Sequence, residues 1–393
     1  MTAPTTVRAS LLVLAYFAFI SLGLPDGLLG VGWASIHVDL RVPTDAVGFL
    51  LFAGTAGYLT SSVAAGFVLA RLGVGRLLAG STALAGLSLA GYGIAPAFWF
   101  MVPCALFAGF AGGAIDAGLN AYAANAFGPK HMNWLHACFG LGVTIGPLIM
   151  TAFVGNGRTW RLGYAVVATA QLCLALAFVI SRRSWTAHPV PPEHHSTGRH
   201  TLAMPSLWLS VVAFGVYVAI EMGAGLWAFL LLTKGRGVSP TIAGLCVSGY
   251  WGSLFVGRVV QGLVAQRLGA NRVLLTSLAG MTVGALLVAV PGPGWLAVAG
   301  LALIGFSAAP VFPLLTLTTA ERVGEAHADR AIGLQIAGAG LGGALIPAGI
   351  GVLLTRHGVN VLGPALTALS VLLLGLYLVL RRPQPDRRAE AAA

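Results

Sequence analysis

Twelve membrane-crossing helices in two pseudo-symmetric bundles of six, an all-α fold with both termini cytoplasmic, is what composition, apolar runs and an internal repeat predict. Of the 393 residues, 57% are hydrophobic and 8% charged, against roughly a quarter charged in a soluble domain. A water-facing fold has no use for that much apolar surface, whereas spans of about 20 apolar residues joined by short polar loops consume it. The 54 glycines point the same way, because small residues let membrane helices approach closely.

The apolar runs fall near 9–35, 45–70, 74–94, 97–127, 132–155 and 160–181, then near 205–232, 240–267, 272–290, 294–318, 329–355 and 359–380. They define a first bundle over 1–181, a linker over 182–204 rich in proline and containing His194 and His195, a second bundle over 205–382, and a tail over 383–393. Lys and Arg set the orientation. With the N-terminus inside, fifteen fall on the cytoplasmic side and six on the other, an excess that the positive-inside rule reads as cytoplasmic termini. The formal charge of +11 is spread among these loops, so it argues topology and not nucleic-acid binding. Cys104, Cys138, Cys173 and Cys246 all lie in apolar runs without metal or disulfide spacing.

The halves repeat each other. Gly66, Arg71, Leu72, Gly73 and Arg76 match Gly262, Arg267, Leu268, Gly269 and Arg272 at an offset of 196 residues. Gly140, Gly142 and Pro147 match Gly340, Gly342 and Pro347 at 200. Parallel repeats of six spans are an architecture of secondary transporters.

The Gly-x4-Arg-x-Gly-x2-Arg loop of both halves resembles the signature loop of the major facilitator superfamily, over nearly the whole chain. That resemblance implies alternating access between two bundles, with Arg71, Arg76, Arg267 and Arg272 in the gate. Relatives place an Asp before the first Arg, where this sequence has Ala70 and Gln266, so its inward gate is expected to close without that acid. The segments Gly112–Asn120 and Asn133–Gly142 are similar to the fucose:proton symporter group. This likeness implies a monosaccharide-type solute and proton coupling through acids on the first and fourth helices, which here are Asp26 and Asp116.

The residues themselves support a solute pathway. Asp26, Asp116 and Glu221 lie deep in apolar spans, where an ionised group costs about 2.5–3.5 kcal/mol and usually faces a cavity. All three are candidates for proton coupling and solute binding. Interhelical hydrogen bonding is the plainer alternative for each. Pro25 and Gly27 beside Asp26 predict a broken first helix. Asp116 and Asn120, four apart, share a helix face and suit a hydroxylated solute; the repeat has Phe312 in place of Asp116.

Trp227, Tyr250 and Trp251 are candidates for stacking on a sugar ring, as are Trp33 and Trp134, although aromatics also gather at membrane interfaces. Gln335 and Gln171 either line the pathway or pack. Arg258 is the one basic residue well inside a span; it needs compensation, with Glu221 as partner, or it snorkels to the surface. His136 opens the fifth span as a proton relay or a loop cap. Gly142-x3-Gly146-Pro147 reads as a packing face that the two halves share as a rocking surface.

The expected activity is secondary transport of a small polar solute, with a sugar first and proton-driven export of a drug or metabolite second. No nucleophile–base pair, metal cluster or phosphate loop argues for an enzyme. No cofactor is called for; protons are the expected coupling ion and sodium stays open. The expected partners are a small-molecule substrate and the lipid bilayer, with no nucleic acid, for a monomer in a bacterial inner membrane.

Overall fold

The computed structural model describes residues 9–185 and 201–381. Most of the expected linker and the whole 383–393 tail, with His194 and His195, lie outside the described residues. Among those described, twelve helical segments are long and apolar enough to cross a bilayer: Ala9–Asp39, Thr44–Leu72, Val74–Ile94, Phe98–Ala123, Trp134–Val154, Arg161–Ser181, Pro205–Gly235, Pro240–Val260, Ala270–Ala289, Gly294–Leu317, Glu325–His357 and Val359–Leu380. They are called the first to twelfth spans. Large apolar side chains such as Val63, Phe67, Ile94 and Ile180 point outward on these helices, a surface that suits lipid and not water.

Packing repeats with the sequence. In the first half the second span lies against the fourth, the first against the fifth, and the third against the fourth and sixth. In the second half the eighth lies against the tenth, the seventh against the eleventh, and the ninth against the tenth and twelfth. Each pair is its counterpart moved on by six spans. The shared loop keeps its conformation too, since Gly73 and Gly269 both turn the chain with positive φ, 73° and 83°, a region a side chain at either place would strain.

Two expectations about local structure are corrected. The first span is an unbroken helix from Ala9 to Asp39 with Pro25 inside it. Proline removes one backbone donor, that of its own nitrogen, and so frees the carbonyl four residues earlier. That carbonyl is Ser21, and the buried Gln171 amide of the sixth span donates to it at 3.0 Å. Gly27 serves contact and not flexibility: a β-carbon there would stand 2.6 Å from the Pro147 ring. The span that does break is the tenth, where Ala309 and Pro310 separate the helices Gly294–Ala308 and Val311–Leu317.

The glycine faces of the fifth and eleventh spans are the second correction. Gly142 and Gly146 mesh with Ile20, Leu24 and Gly27 of the first span, and Gly342 meshes with Gly215 of the seventh. These faces therefore bind helices within each half and are not a surface on which the halves rock.

The halves meet elsewhere, through the fifth and eighth, the second and eleventh, and the first and seventh spans. Ser248 Oγ donates to the Thr144 carbonyl at 2.7 Å, Thr241 Oγ1 to the Gly155 carbonyl at 3.5 Å, and Thr355 Oγ1 to Asp45 at 3.4 Å. A β-carbon at Gly30 would stand 2.7 Å from the Gly225 carbonyl oxygen. These meetings lie between the middle of the helices and the face opposite the termini. The two halves are thus zipped on that face and part toward the face that carries the termini. On the zipped face Arg161 pairs with Asp39, donates to the Ala95 carbonyl at 2.9 Å and lies 4.3 Å over the Trp160 ring, tying the first, third and sixth spans of one half together.

Candidate functional site

The three buried-span acids converge where the halves begin to part. Asp26, halfway along the first span, is exposed, and its charge interacts with that of Glu221 from the opposite half. Among the described residues it has no hydrogen-bond or ion-pair partner. Its carboxylate therefore faces the opening between the halves.

Asp116 is held differently. The Tyr58 hydroxyl donates to its Oδ2 at 2.7 Å and the Asn120 amide to its Oδ1 at 2.9 Å. Each oxygen thus has a donor, which fixes the carboxyl group between the second and fourth spans. The Asn120 Oδ1 is buried and has no donor in the structure, leaving one acceptor free beside the carboxylate. Tyr58 also feels the charge of Asp26, which links the two acids of the first half through one ring.

Glu221 is buried, and the hydroxyl of Tyr217, four residues earlier on the same helix face, hydrogen-bonds to its Oε2. Arg258 Nη2 lies 4.0 Å from Oε1, so the structure compensates this arginine with the partner expected for it. Arg258 in turn lies against Gly140, across the seam in the fifth span. The Asp116 and Arg258 charges both reach the His136 ring, which is exposed and stacks edge-on against Phe19 at 5.4 Å. His136 thus stands in the opening below the acids.

Four expected solute contacts are placed in packing instead, and the sequence expectation for them is corrected. Trp227 is fully buried, and its indole N–H donates to the Pro347 carbonyl at 3.0 Å. Tyr250 is buried with its hydroxyl on the Glu221 main-chain carbonyl at 2.8 Å, and Trp251 packs over Gly225. Gln335 is buried, donating to Ser210 at 2.7 Å and accepting from Thr319 at 3.0 Å. The polar atoms of Trp227, Tyr250 and Gln335 are thus satisfied inside the helix bundle, and Trp251 is buried against the seventh span. Trp33 is likewise buried with its N–H on the Thr44 carbonyl at 2.8 Å, while Trp134 is exposed.

Arg71, Arg76, Arg267 and Arg272 are exposed at the parted face. No acid pairs with them among the described residues. Arg76, Arg182, Arg183 and the buried Trp185 line a shallow pocket there. Arg322, in the short helix Thr319–Val323 behind Gln335, donates to Thr318 at 2.7 Å and to Thr319 at 3.2 Å. Burial pushes its pKa down from the usual arginine range.

Tyr58 and Tyr217 were not singled out from the sequence. Tyr217 was within reach of it, because a four-residue step to Glu221 puts both on one helix face. Tyr58 was not, because its meeting with Asp116 depends on how the second and fourth spans cross.

A duplicated twelve-span bundle with acids at the seam of its halves is the architecture of a membrane transporter, and the comparisons agree. The chain belongs to the Major Facilitator Superfamily, whose profile matches residues 15–234 and again 209–393. Among curated proteins it is 22% identical to the glucose/mannose transporter GlcP of Bacillus subtilis, over 87% of this chain and 88% of that one. It also resembles an uncharacterized MFS-type transporter of Yersinia pestis, 26% identical over 53% of each. Among solved structures, a mutant of the nucleoside transporter NupG aligns with a TM-score of 0.77 at 14% identity, covering 95% of this chain and all of that one. A bacterial homologue of the lysosomal transporter Spinster, in an inward-facing and occupied conformation, aligns with a TM-score of 0.75 at 13% identity over 97% and 98%. The protein is an integral, multi-pass membrane transporter of a small molecule and not an enzyme.

Proposed function

We propose that this transporter couples the movement of a small polar solute, a sugar in the first instance, to protons, by alternating access across a bacterial inner membrane. The observation that carries the reading is the division of labour among the three acids. Asp116, held by a donor on each oxygen, is suited to orient hydroxyl groups together with Asn120. Asp26, exposed and without a partner, is suited to exchange protons with the opening. Glu221 opposite it interacts as a like charge, so protonating either acid removes a repulsion between the halves. The likeness to a glucose/mannose transporter supports a sugar, and hydroxyl-rich solutes match an amide–carboxylate pair.

Proteoliposomes with an imposed pH gradient test the reading. Sugar accumulation against its own gradient, lost in Asp26→Asn while sugar exchange persists, is the expected result. Accumulation that follows a sodium gradient at equal pH, or that ignores both ions, would sink the proton claim; extrusion of solute by an inward proton gradient would reverse the direction.

A further inference from the structure

We infer that Tyr217 is a positioning residue that makes the break in the tenth span sensitive to the protonation of Glu221. The Tyr217 hydroxyl sits between two oxygens, Glu221 Oε2 and the carbonyl of Ala308 at 3.1 Å. Ala308 closes the first helical segment of the tenth span, and the second begins at Val311. A phenol carries one hydrogen. It cannot donate to both oxygens at once.

The number of protons therefore decides the pattern. With Glu221 protonated, its O–H donates to Tyr217, and Tyr217 donates to Ala308; the chain is complete and ties the break to the seventh span. With Glu221 ionised, the carboxylate draws the phenol hydrogen, and the Ala308 carbonyl loses that donor inside the bundle. A buried carbonyl without a donor is unfavourable, so the segment Val311–Leu317 is released from this tie. The same segment carries Phe312, whose ring lies 5.2 Å from Phe214 and 6.3 Å from Tyr217, so a shift at the break is felt along the seventh span. The titratable groups that reach Glu221 are Arg258 and Tyr250 of the eighth span, Asp26 of the first, and Tyr217 itself.

The inference rests on the proton-coupled reading for its place in the transport cycle, though not for its geometry. Its test uses the full chain in lipid nanodiscs, with the four native cysteines replaced and an environment-sensitive fluorophore on Leu317→Cys, a position 71% exposed. In that parent, fluorescence should follow a single pH transition. Tyr217→Phe should lose the transition and stay at the alkaline value, since no hydroxyl remains for Ala308. Glu221→Gln should also lose it but stay at the acid value, because its amide donates to Tyr217 as the protonated acid does.

A transition that survives in Tyr217→Phe, or two variants frozen at one value, overturns the inference. If Tyr217→Phe does not fold, Glu221→Gln decides alone: a titrating or alkaline-like signal overturns it. Accumulation driven by pH in proteoliposomes is measured beside this. Variants that behave as stated without such accumulation would remove the coupling reading alone. Accumulation together with an unchanged Tyr217→Phe transition would remove this inference alone.

Discussion

Asp26, Asp116 and Glu221 carry one functional group in three settings, and the setting predicts the phenotype. Removing either donor from Asp116 takes away a hydrogen bond to a charged group, about 1.5–3 kcal/mol. Tyr58→Phe and Asn120→Ala are therefore each expected to raise the sugar KM roughly tenfold or more while leaving the pH dependence of transport in place; uptake measured at several pH values separates the two effects. Gln171 makes a different kind of prediction. Gln171→Leu leaves the Ser21 carbonyl without its donor and should destabilise the protein by about 1–3 kcal/mol, seen as a lower Tm in detergent. Adding Pro25→Ala supplies a backbone N–H for that carbonyl and should recover much of the loss. Two substitutions that sum independently would show that the Pro25–Gln171 pairing has no such role.

At the scale of the element, the twelve spans were legible in the sequence because lipid demands long apolar runs, and a few residues at the ends were the main difference. The first span continues to Asp39 and the eleventh begins at Glu325. What the sequence misled on was where helices bend. Pro25 looks like a break, yet a glutamine from another span repairs it; Pro310 does break its span, within a run that looks uniform. The aromatic candidates failed for a related reason. Trp227 lies six residues from Glu221, but a helix has more than one face, and the rings of Trp227, Tyr250 and Trp251 meet other helices. The seam between the fifth and eighth spans yields a prediction of its own. A β-carbon at Gly244 would collide with Thr151, so Gly244→Val should keep this seam from closing. Cysteine reporters on the face opposite the termini should then label faster, and net transport should fall; unchanged labelling would show that the seam yields to the added bulk.

At the scale of the whole molecule, the duplication read from the arginine loop reappears as matched helix pairs in each half, and that symmetry was fully legible. The site was legible in part, since the three acids were evident but their partners depend on how helices cross. The state of the molecule was not legible at all, because the same residues serve both ends of the cycle. In the state seen here Asp45 and Thr355 join the halves on the zipped face. In a chain without native cysteines, an oxidised Asp45→Cys and Thr355→Cys pair should arrest transport, and a reductant should restore it. Transport that continues through the cross-link would mean that these two points do not separate during turnover.

The seam that closes this face is made of glycines, serines and threonines, with Asp45 accepting only a neutral hydroxyl. Dissolved salt weakens attraction between charges over a Debye length of about 8–10 Å at physiological strength, but it has little hold on shape and hydroxyl contacts. The balance between open and shut on this face should therefore drift little between dilute and concentrated salt, as cysteine labelling across an ionic-strength series would report.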